Sequence, residues 1–487
     1  MNKELADLLF PKTKETISDL LKTRWDNDGK PALRFAPSPT GFLHIGHLGL
    51  VLTDYMLAKS MGGKCYIRIE DTDQKREVQG AEKLLLDTIK NFGITFDNKP
   101  FNQSKRTAIY HVFAKHLVEQ GHAYPCFCTE GELNKIREEQ HAQKLRTGYH
   151  SQFAHCKKLT LKQIEKELTD KKPWVLRMNF NNDTQRVEWK DLVKGQMSLP
   201  YEINNAVILK SNGMPPYNLA CTVDDLLMGV THVVRGEEWL ASTAEHIQIY
   251  NALGLKHPQF AHTPVICVEE NGNKRKLSKR RDRESIAQNL LDDGYPKDAL
   301  VEYLLTINNT DFELWRIANP DKDWREFNFR FEKIGSNSPL FDWDKLNDIS
   351  KNMLANMSCK KINAEIKKYF ESDNAPRKLS AEELEKVYTV LAVDRGSDRP
   401  RKDIAKYSEV LTVFDYLFRP VQKTELLKKY TALIKGATNK DKWFAKIKEY
   451  CATNNLKVRD YTQSIRVALT GREQTTDLYT ISKLMLG

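Results

Sequence analysis

One stretch restricts the fold of this chain more than any other. An apolar strand, a proline-bracketed turn, an amphipathic helix and a second apolar strand follow one another without a gap. "ALRFA" (Ala32–Ala36) carries a single charge and suits a buried strand. "PSPTG" turns the chain. From His44 onward, Leu48, Val51, Leu52, Tyr55 and Met56 recur at helical spacing, and Gly62-Gly63 supplies the stop. "KCYIRI" (Lys64–Ile69) reads as the next strand. Strand, helix and strand make a βαβ unit, which predicts a parallel sheet with a right-handed crossover. Ligands of such sheets sit beyond the carboxyl ends of the strands. Both "PSPTG" and "EDTD" (Glu70–Asp73) fall at those ends, so an active site is expected there.

The rest of the chain divides around this unit. Residues 1–30 read as a short helical extension ending at "DNDG". Residues 31–100 are the first half of the α/β domain, and 101–216 read as an insertion of helices and short strands such as "WVLRMNF" and "NAVILK". The sheet is expected to resume with "CTVDDLLMGVTHVVRGEEWL", within 217–284, and the strongly basic "NKRKLSKRRDR" (Asn273–Arg283) reads as a loop. A connecting region spans 285–350, and 351–487 carries apolar residues at three- and four-residue spacing, which predicts a helical domain.

Charge narrows the partners. The formal net charge is +11 and the pI about 9.0. That favours a polyanionic partner, nucleic acid before membrane, since no apolar run approaches a bilayer span; a merely basic enzyme is the alternative. The opening "MNKELADLLFPKTKE" mixes charges and lacks a long apolar core, unlike a signal peptide. The eight cysteines are sparse for the length and suit a reducing cytosol. Only Cys126, Cys128 and Cys156 look grouped.

Two motifs carry the chemistry. In "HIGH", His44 and His47 could be a metal pair, a phosphate cradle or an ordinary helix surface. A metal would need further ligands. At the start of a helix that follows a parallel strand, exposed N–H groups favour an anion. Gly46 leaves room for a flat ligand near the backbone. The run "KRKLSKRR" alone could be a solvated face, a localisation signal or a generic nucleic-acid patch. Placed after "TPVICV" and the turn pair Asn271-Gly272, its Lys276 and Lys279 could close over phosphates and stabilise a leaving pyrophosphate.

Together, the proline turn into His-Ile-Gly-His and the downstream Lys-Leu-Ser-Lys-Arg resemble the class I aminoacyl-tRNA synthetases, which carry HIGH and KMSKS signatures on a Rossmann fold. "RFAPSPTGFLHIGH", "RIEDTD", "PPYNLA", "VVRGEEW" and "KLSKR" stand in the order of the bacterial-type glutamyl-tRNA synthetase family. The resemblance implies a Rossmann-type parallel-sheet catalytic domain interrupted by an acceptor-binding insertion, a stem-contact region, and an all-α anticodon-binding domain. It implies a cytoplasmic, monomeric ligase using ATP, Mg2+, L-glutamate and tRNA(Glu), with bound tRNA needed before glutamate is activated.

The resemblance also implies roles. His44, His47 and Lys279 would be catalytic. Gly46, Glu238, Trp239 and Lys276 would join them around ATP. Arg34, Ala36, Ser38, Glu70, Tyr217 and Arg235 would form the glutamate pocket. Chemistry supports that pocket: a substrate with two carboxylates and one ammonium needs guanidinium forks and an anionic partner. Two departures stand out. "HLGLVLTDY" replaces a Gly-x-Arg-Thr-Ala run common in relatives, and Cys221 occupies a pocket position that is Asn in some of them. Some bacterial members bind zinc through a Cys-x-Cys pair, a later Cys and a Tyr, which implies Cys126, Cys128, Cys156 and Tyr149 here; small buried cysteines are the alternative. The rival functions are a non-discriminating form that also charges tRNA(Gln), and a synthetase-like RNA-binding protein without catalysis.

Overall fold

The computed structural model describes residues 2–73, 75, 77–180, 186–200, 204–422 and 424–486; Lys423, which opens the basic run "KTELLKK", lies outside them. The chain forms two units. One comprises Met1–Ala287 with Leu304–Phe341, the other Gln288–Tyr303 with Asp342–Gly487.

The first unit opens with helices α1 (Asn2–Leu9) and α2 (Ile17–Lys22). Strand β1 (Ala32–Phe35), helix α3 (Ile45–Ser60) and strand β2 (Lys64–Ile67) follow, and β1 pairs with β2 in parallel from Ala32↔Lys64 to Phe35↔Ile67. The expected βαβ unit is therefore present. Leu48, Val51, Leu52, Met56 and Leu57 of α3 are fully buried; each contributes roughly 1.5–3 kcal/mol by leaving water. Gly62 ends the helix at φ 63. A Cβ on Gly63 would lie 2.2 Å from the Pro31 carbonyl oxygen, so a glycine is needed where β2 starts beside β1. The extension before β1 is tied down: Trp25 N–H donates to Leu227 O at 2.8 Å, Asn27 Nδ2 donates to Gly229 O at 2.7 Å, and Lys115 pairs with Asp7 at 2.7 Å.

Next come α4 (Ala81–Asn91), α5 (Thr107–Glu119), β3 (Ala123–Cys126), α6 (Glu130–Ala142), α7 (Leu161–Thr169), β4 (Val175–Met178), β5 (Arg186–Asp191), β6 (Gly195–Pro200) and β7 (Val207–Leu209). Strands β3, β4 and β7 form a separate antiparallel sheet. Strand β5 does not join it. It pairs with β6 and, through Asp191↔Phe260, in parallel with the strand over Gln259–Thr263, so a strand from within 101–216 extends the other sheet.

The run expected to resume the sheet begins instead as helix α8 (Tyr217–Leu227), and only β8 (His232–Gly236) is strand. The physical reason is burial on all sides. Leu219, Ala220, Cys221, Val223, Asp224 and Asp225 of α8 are all buried, which erases the polar face that marks a helix in sequence. Helix α9 (Leu240–Ala252) leads to β9 (Gln259–Thr263), parallel to β8, and the sheet order is β6-β5-β9-β8. Thr231 N–H donates to Ala32 O at 2.9 Å, which sets β1 beside the start of β8. The basic run is only partly a loop: Asn273–Lys276 forms β11, antiparallel to β10 (Cys267–Glu270).

The second unit is helical, as its spacing predicts. Trp343–Asn356, Cys359–Glu371, Ala381–Ala392, Glu425–Ile434, Lys440–Thr453, Val458–Thr470 and Leu478–Leu486 enclose a core that includes Ile366, Val387, Tyr430, Ile447, Ile465 and Ile481. Inside it Trp443 Nε1 donates to Tyr430 OH at 2.9 Å, and Tyr430 OH meets Ser482 Oγ at 2.6 Å. Among the described residues no helix is long and apolar enough to cross a membrane.

Candidate active site

His44 ends the turn rather than entering the helix. It is the N-cap of α3, and its Nδ1 accepts the Gly46 N–H at 2.9 Å. A neutral ring so placed carries its proton on Nε2, and the ring also hydrogen-bonds the Leu277 backbone. A methyl group on Gly46 would press against that imidazole, 3.0 Å from Nδ1. The glycine therefore serves the cap as well as any ligand. The ring centroids of His44 and His47 are 5.9 Å apart. Burial, and then positive charge from Lys279 and Lys276 (with His47 also acting on His44), pushes both imidazoles down to about 4. Both are neutral near neutral pH and can donate an N–H without adding charge.

The lysines face them from the end of the β10–β11 hairpin: Lys276 closes β11 and Lys279 lies in the turn that follows. Asn271 and Gly272 take φ values of 53 and 77, the consecutive left-handed pair of a two-residue hairpin turn. Two carboxylates fold the basic run. Arg275 Nε donates to Glu270 at 2.9 Å, its Nη atoms grip Asp282 at 2.7 and 2.6 Å, and Ser278 N–H donates to Asp282 at 2.8 Å. Lys276 pairs with Glu238. Lys279 makes no ion pair among the described residues, and burial pushes its ammonium down.

These groups line one cavity of about 340 Å³: His44, Gly46, His47, Glu238, Lys276 and Lys279. Trp239 does not line it; its ring rests on Tyr217, with centroids 4.5 Å apart. Glu238 is the one carboxylate among the described lining residues, and Lys276 holds it. That donor set fits a divalent cation carried on phosphate oxygens rather than one gripped by protein. A larger cavity, about 790 Å³, lies in the helical unit and contains none of the residues read as catalytic.

A buried charge network, none of whose arginines lines the cavity, is joined to it through neighbours along the chain. Gly236 and Thr263 line the cavity, directly after Arg235 and His262. Arg34 Nε donates to Asp225 at 2.9 Å and its Nη1 to Val234 O at 3.3 Å. Arg68, fully buried, reaches the same Asp225 oxygen, Glu70 at 2.9 Å and Cys221 Sγ at 3.0 Å. Burial works against the Asp225 charge, but the two guanidinium groups outweigh it and hold its carboxyl down at about 2. Burial pushes the Glu70 carboxyl up, with Arg68 opposing. Arg235 lies a short way off, with Nη1 donating to Tyr217 OH at 3.1 Å. Ala36 is half-buried and Ser38 exposed in the turn, which is held to β2 by Glu70 N–H donating to Pro37 O at 2.9 Å.

Sequence reasoning missed Arg68, Asp225 and Cys221 as members of this network. Arg68 stands inside the quoted "RIEDTD", and an acidic pair inside the apolar "CTVDDLLMGV" was the signal for Asp225. Cys221, left out of the pocket because relatives differ there, donates to Asp225 Oδ2 at 3.5 Å.

The four residues read as a zinc set come together. The sulfurs of Cys126, Cys128 and Cys156 lie within 4.8 Å of one another. Cys128 Sγ is 3.1 Å from Tyr149 OH and 3.5 Å from Cys156 Sγ. Hydrogen bonds from the Cys128 and Cys156 thiols pull Cys126 toward the thiolate. Zn–S bonds of about 2.3 Å give tetrahedral edges of about 3.8 Å, so the donor set fits zinc. His155, next to Cys156, is exposed.

Known proteins match over the whole chain. Residues 32–347 match the model of the tRNA synthetases class I (E and Q) catalytic domain, and 407–485 that of an anticodon binding domain. A glutamate–tRNA ligase of Acetivibrio thermocellus is 37% identical, covering 99% of this chain and 97% of its own. One of Clostridium perfringens strain 13 is also 37% identical, covering 99% and 98%. The crystal structure of a glutamate tRNA ligase from Elizabethkingia meningosepticum in complex with its amino acid superposes with a TM-score of 0.80 at 25% identity, covering 94% of this chain and 96% of that one.

Proposed function

The chain belongs to the class I tRNA synthetases of the glutamate and glutamine type, and within them to the glutamate–tRNA ligases; from that premise we propose how its residues divide the reaction. A glutamate carboxylate oxygen attacks the α-phosphorus of ATP, the bond to the leaving pyrophosphate breaks, and glutamyl-adenylate forms. The terminal ribose hydroxyl of tRNA(Glu) then attacks the acyl carbon and AMP leaves.

The observation that carries this reading is the cavity in which two neutral imidazoles face two lysines; one of its lining residues, Gly236, directly follows the buried Arg235. His47 donates an N–H bond to the phosphates as charge builds in the transition state, and His44 does so once its Nε2–H exchanges the Leu277 backbone for phosphate. Lys279, and Lys276 once it exchanges Glu238 for phosphate, neutralise the leaving pyrophosphate. Gly46 lies under the nucleotide, and Glu238 and Trp239 border the adenosine. Magnesium brought in on the triphosphate would screen its charge, and Glu238 is the one carboxylate among the described lining residues that could meet it. Arg34 and Arg235 fork the substrate carboxylates, Glu70 accepts from the ammonium, and Tyr217, Ala36 and Ser38 close the pocket.

Residues 101–216 hold the acceptor end of tRNA, 285–350 contact the stem, and the helical domain from 351 meets the anticodon. Cys126, Cys128, Cys156 and Tyr149 would hold a structural zinc, which would cross-link β3 to the turns before α7. The enzyme works as a monomer, and in the cytoplasm, a compartment that its eight free thiols suit. The test is ATP–pyrophosphate exchange with glutamate, with and without tRNA(Glu). Exchange that depends on both glutamate and tRNA is expected. No exchange with both present would overturn the catalytic reading in favour of an RNA-binding protein.

A further inference from the structure

Arg235 differs from Arg34 and Arg68, the buried arginines of the charge network beside it, in what surrounds it. Arg34 and Arg68 are matched by Asp225 and Glu70. Arg235 is 5% exposed, and it makes no ion pair among the described residues. Its hydrogen bonds go to neutral acceptors: Nε to His262 Nε2 at 3.1 Å, Nη1 to Tyr217 OH at 3.1 Å, and Nη2 to Thr243 Oγ1 at 2.6 Å. A buried cation held only by neutral groups keeps its whole charge for an anion that arrives from outside.

His262 can accept from Arg235 only if its Nε2 bears a lone pair, so the ring proton must sit on Nδ1. Behind the ring, Asp191 Oδ2 lies 2.6 Å from that Nδ1. The other oxygen of Asp191 is engaged by three backbone N–H groups, those of Val193 at 3.0 Å, Lys194 at 2.9 Å and His262 at 3.1 Å. Asp191 cannot rotate without losing all three. Asp191, Thr243 and His262 are essentially without solvent contact. Burial, opposed by the Asp191 hydrogen bond and reinforced by Arg235, keeps the His262 imidazole below its ordinary value and therefore neutral. The chain of contacts starts on β5, outside both catalytic motifs, and is fixed by the pairing of Asp191 with Phe260 on β9.

We propose that Asp191 and His262 are positioning residues for the reaction: Asp191 fixes the imidazole tautomer, and the imidazole aims an uncompensated Arg235 guanidinium at a carboxylate of the substrate. This rests on the reading of Arg235 as a glutamate-binding residue.

Asp191→Asn isolates the effect. With the three backbone N–H groups holding its carbonyl oxygen, the Asn amide must donate to His262 Nδ1. The ring proton moves to Nε2, where it meets the Arg235 Nε–H donor to donor. The same logic makes an isosteric Asp→Asn change so damaging behind a catalytic histidine. The expected result in the full-length enzyme is a rise in the glutamate KM of about 10–100-fold, with the ATP KM changed less than about twofold, since a misplaced fork can cost about 10²-fold. Thr243→Val should act in the same direction. Nitrogen-15 NMR of the imidazoles should show Nδ1–H at His262 in the unaltered enzyme, its signal assigned with His262→Gln, and Nε2–H in Asp191→Asn.

Arg235→Ala separates the two levels of the claim. If it raises the glutamate KM but Asp191→Asn does not, the relay is overturned and the pocket stands. If Arg235→Ala leaves the glutamate KM unchanged, the reading of Arg235 fails and the relay with it. Should Asp191→Asn not fold, the unaltered enzyme still decides: Nε2–H on His262 overturns the proposal, and Nδ1–H supports it.

Discussion

Lys279 and Arg34 illustrate two different ways in which a single charge acts in this cavity. Lys279 has no carboxylate partner to neutralise it among the described residues, so its ammonium is left for a phosphate. Lys279→Ala should lower the pyrophosphate-exchange rate by about 10²-fold or more, because it removes a cation that matters most as pyrophosphate leaves. Its tRNA affinity should stay nearly unchanged; near-normal exchange would sink the assigned role. Arg34 is also structural, since Asp225 lies between it and Arg68. Arg34→Ala should therefore raise the glutamate KM strongly, by the equivalent of about 2–5 kcal/mol for a buried carboxylate left without its fork. It should also lower Tm, because Asp225 loses one of two buried partners. A raised glutamate KM with Tm unchanged would show that Arg68 alone can hold Asp225; a raised ATP KM instead would mean that the pocket is misassigned.

At the scale of elements, local spacing explains what could be anticipated. The βαβ unit was legible because its turn, cap and apolar period are all short-range features. The hairpin that carries the lysines was half legible: Asn271-Gly272 marks the turn, but the charged β11 looks like a loop because its polar side chains carry no strand alternation. Helix α8 was misread because burial on every side removes the period. The cysteine group joins β3 to the short turns around Cys156. With zinc bound, metal analysis should find about one ion per chain. Chelation should then release protection from hydrogen exchange in 123–178 before it affects β1 and β2, since binding energy at such a site is folding energy. Active, metal-free protein with unchanged exchange in that segment would favour plain buried cysteines.

For the whole molecule, the helical unit does not begin where the composition shifts. Residues 288–303 belong with it: Tyr407 N–H donates to Gly294 O at 2.9 Å, and Tyr369 OH donates to Asp292 O at 3.2 Å. A chain cut after Ile349 would strip those partners away. It should still bind ATP through the first unit, melt at a lower temperature than the full chain, and bind tRNA more weakly with a shallower dependence on salt, because phosphate contacts dominate such affinity. Equal salt slopes for the two chains would mean that residues beyond 349 carry few of those contacts. The family, the α/β order and the helical C-terminal half followed from motifs and periods, each of which needs only neighbours along the chain. The charge network could not be read that way. Arg34 meets Asp225 across 191 positions, and Asp191 meets His262 across 71, so their partnership has no local signature. Such pairs form because an ionised group taken out of water must find its partner wherever folding brings one within reach.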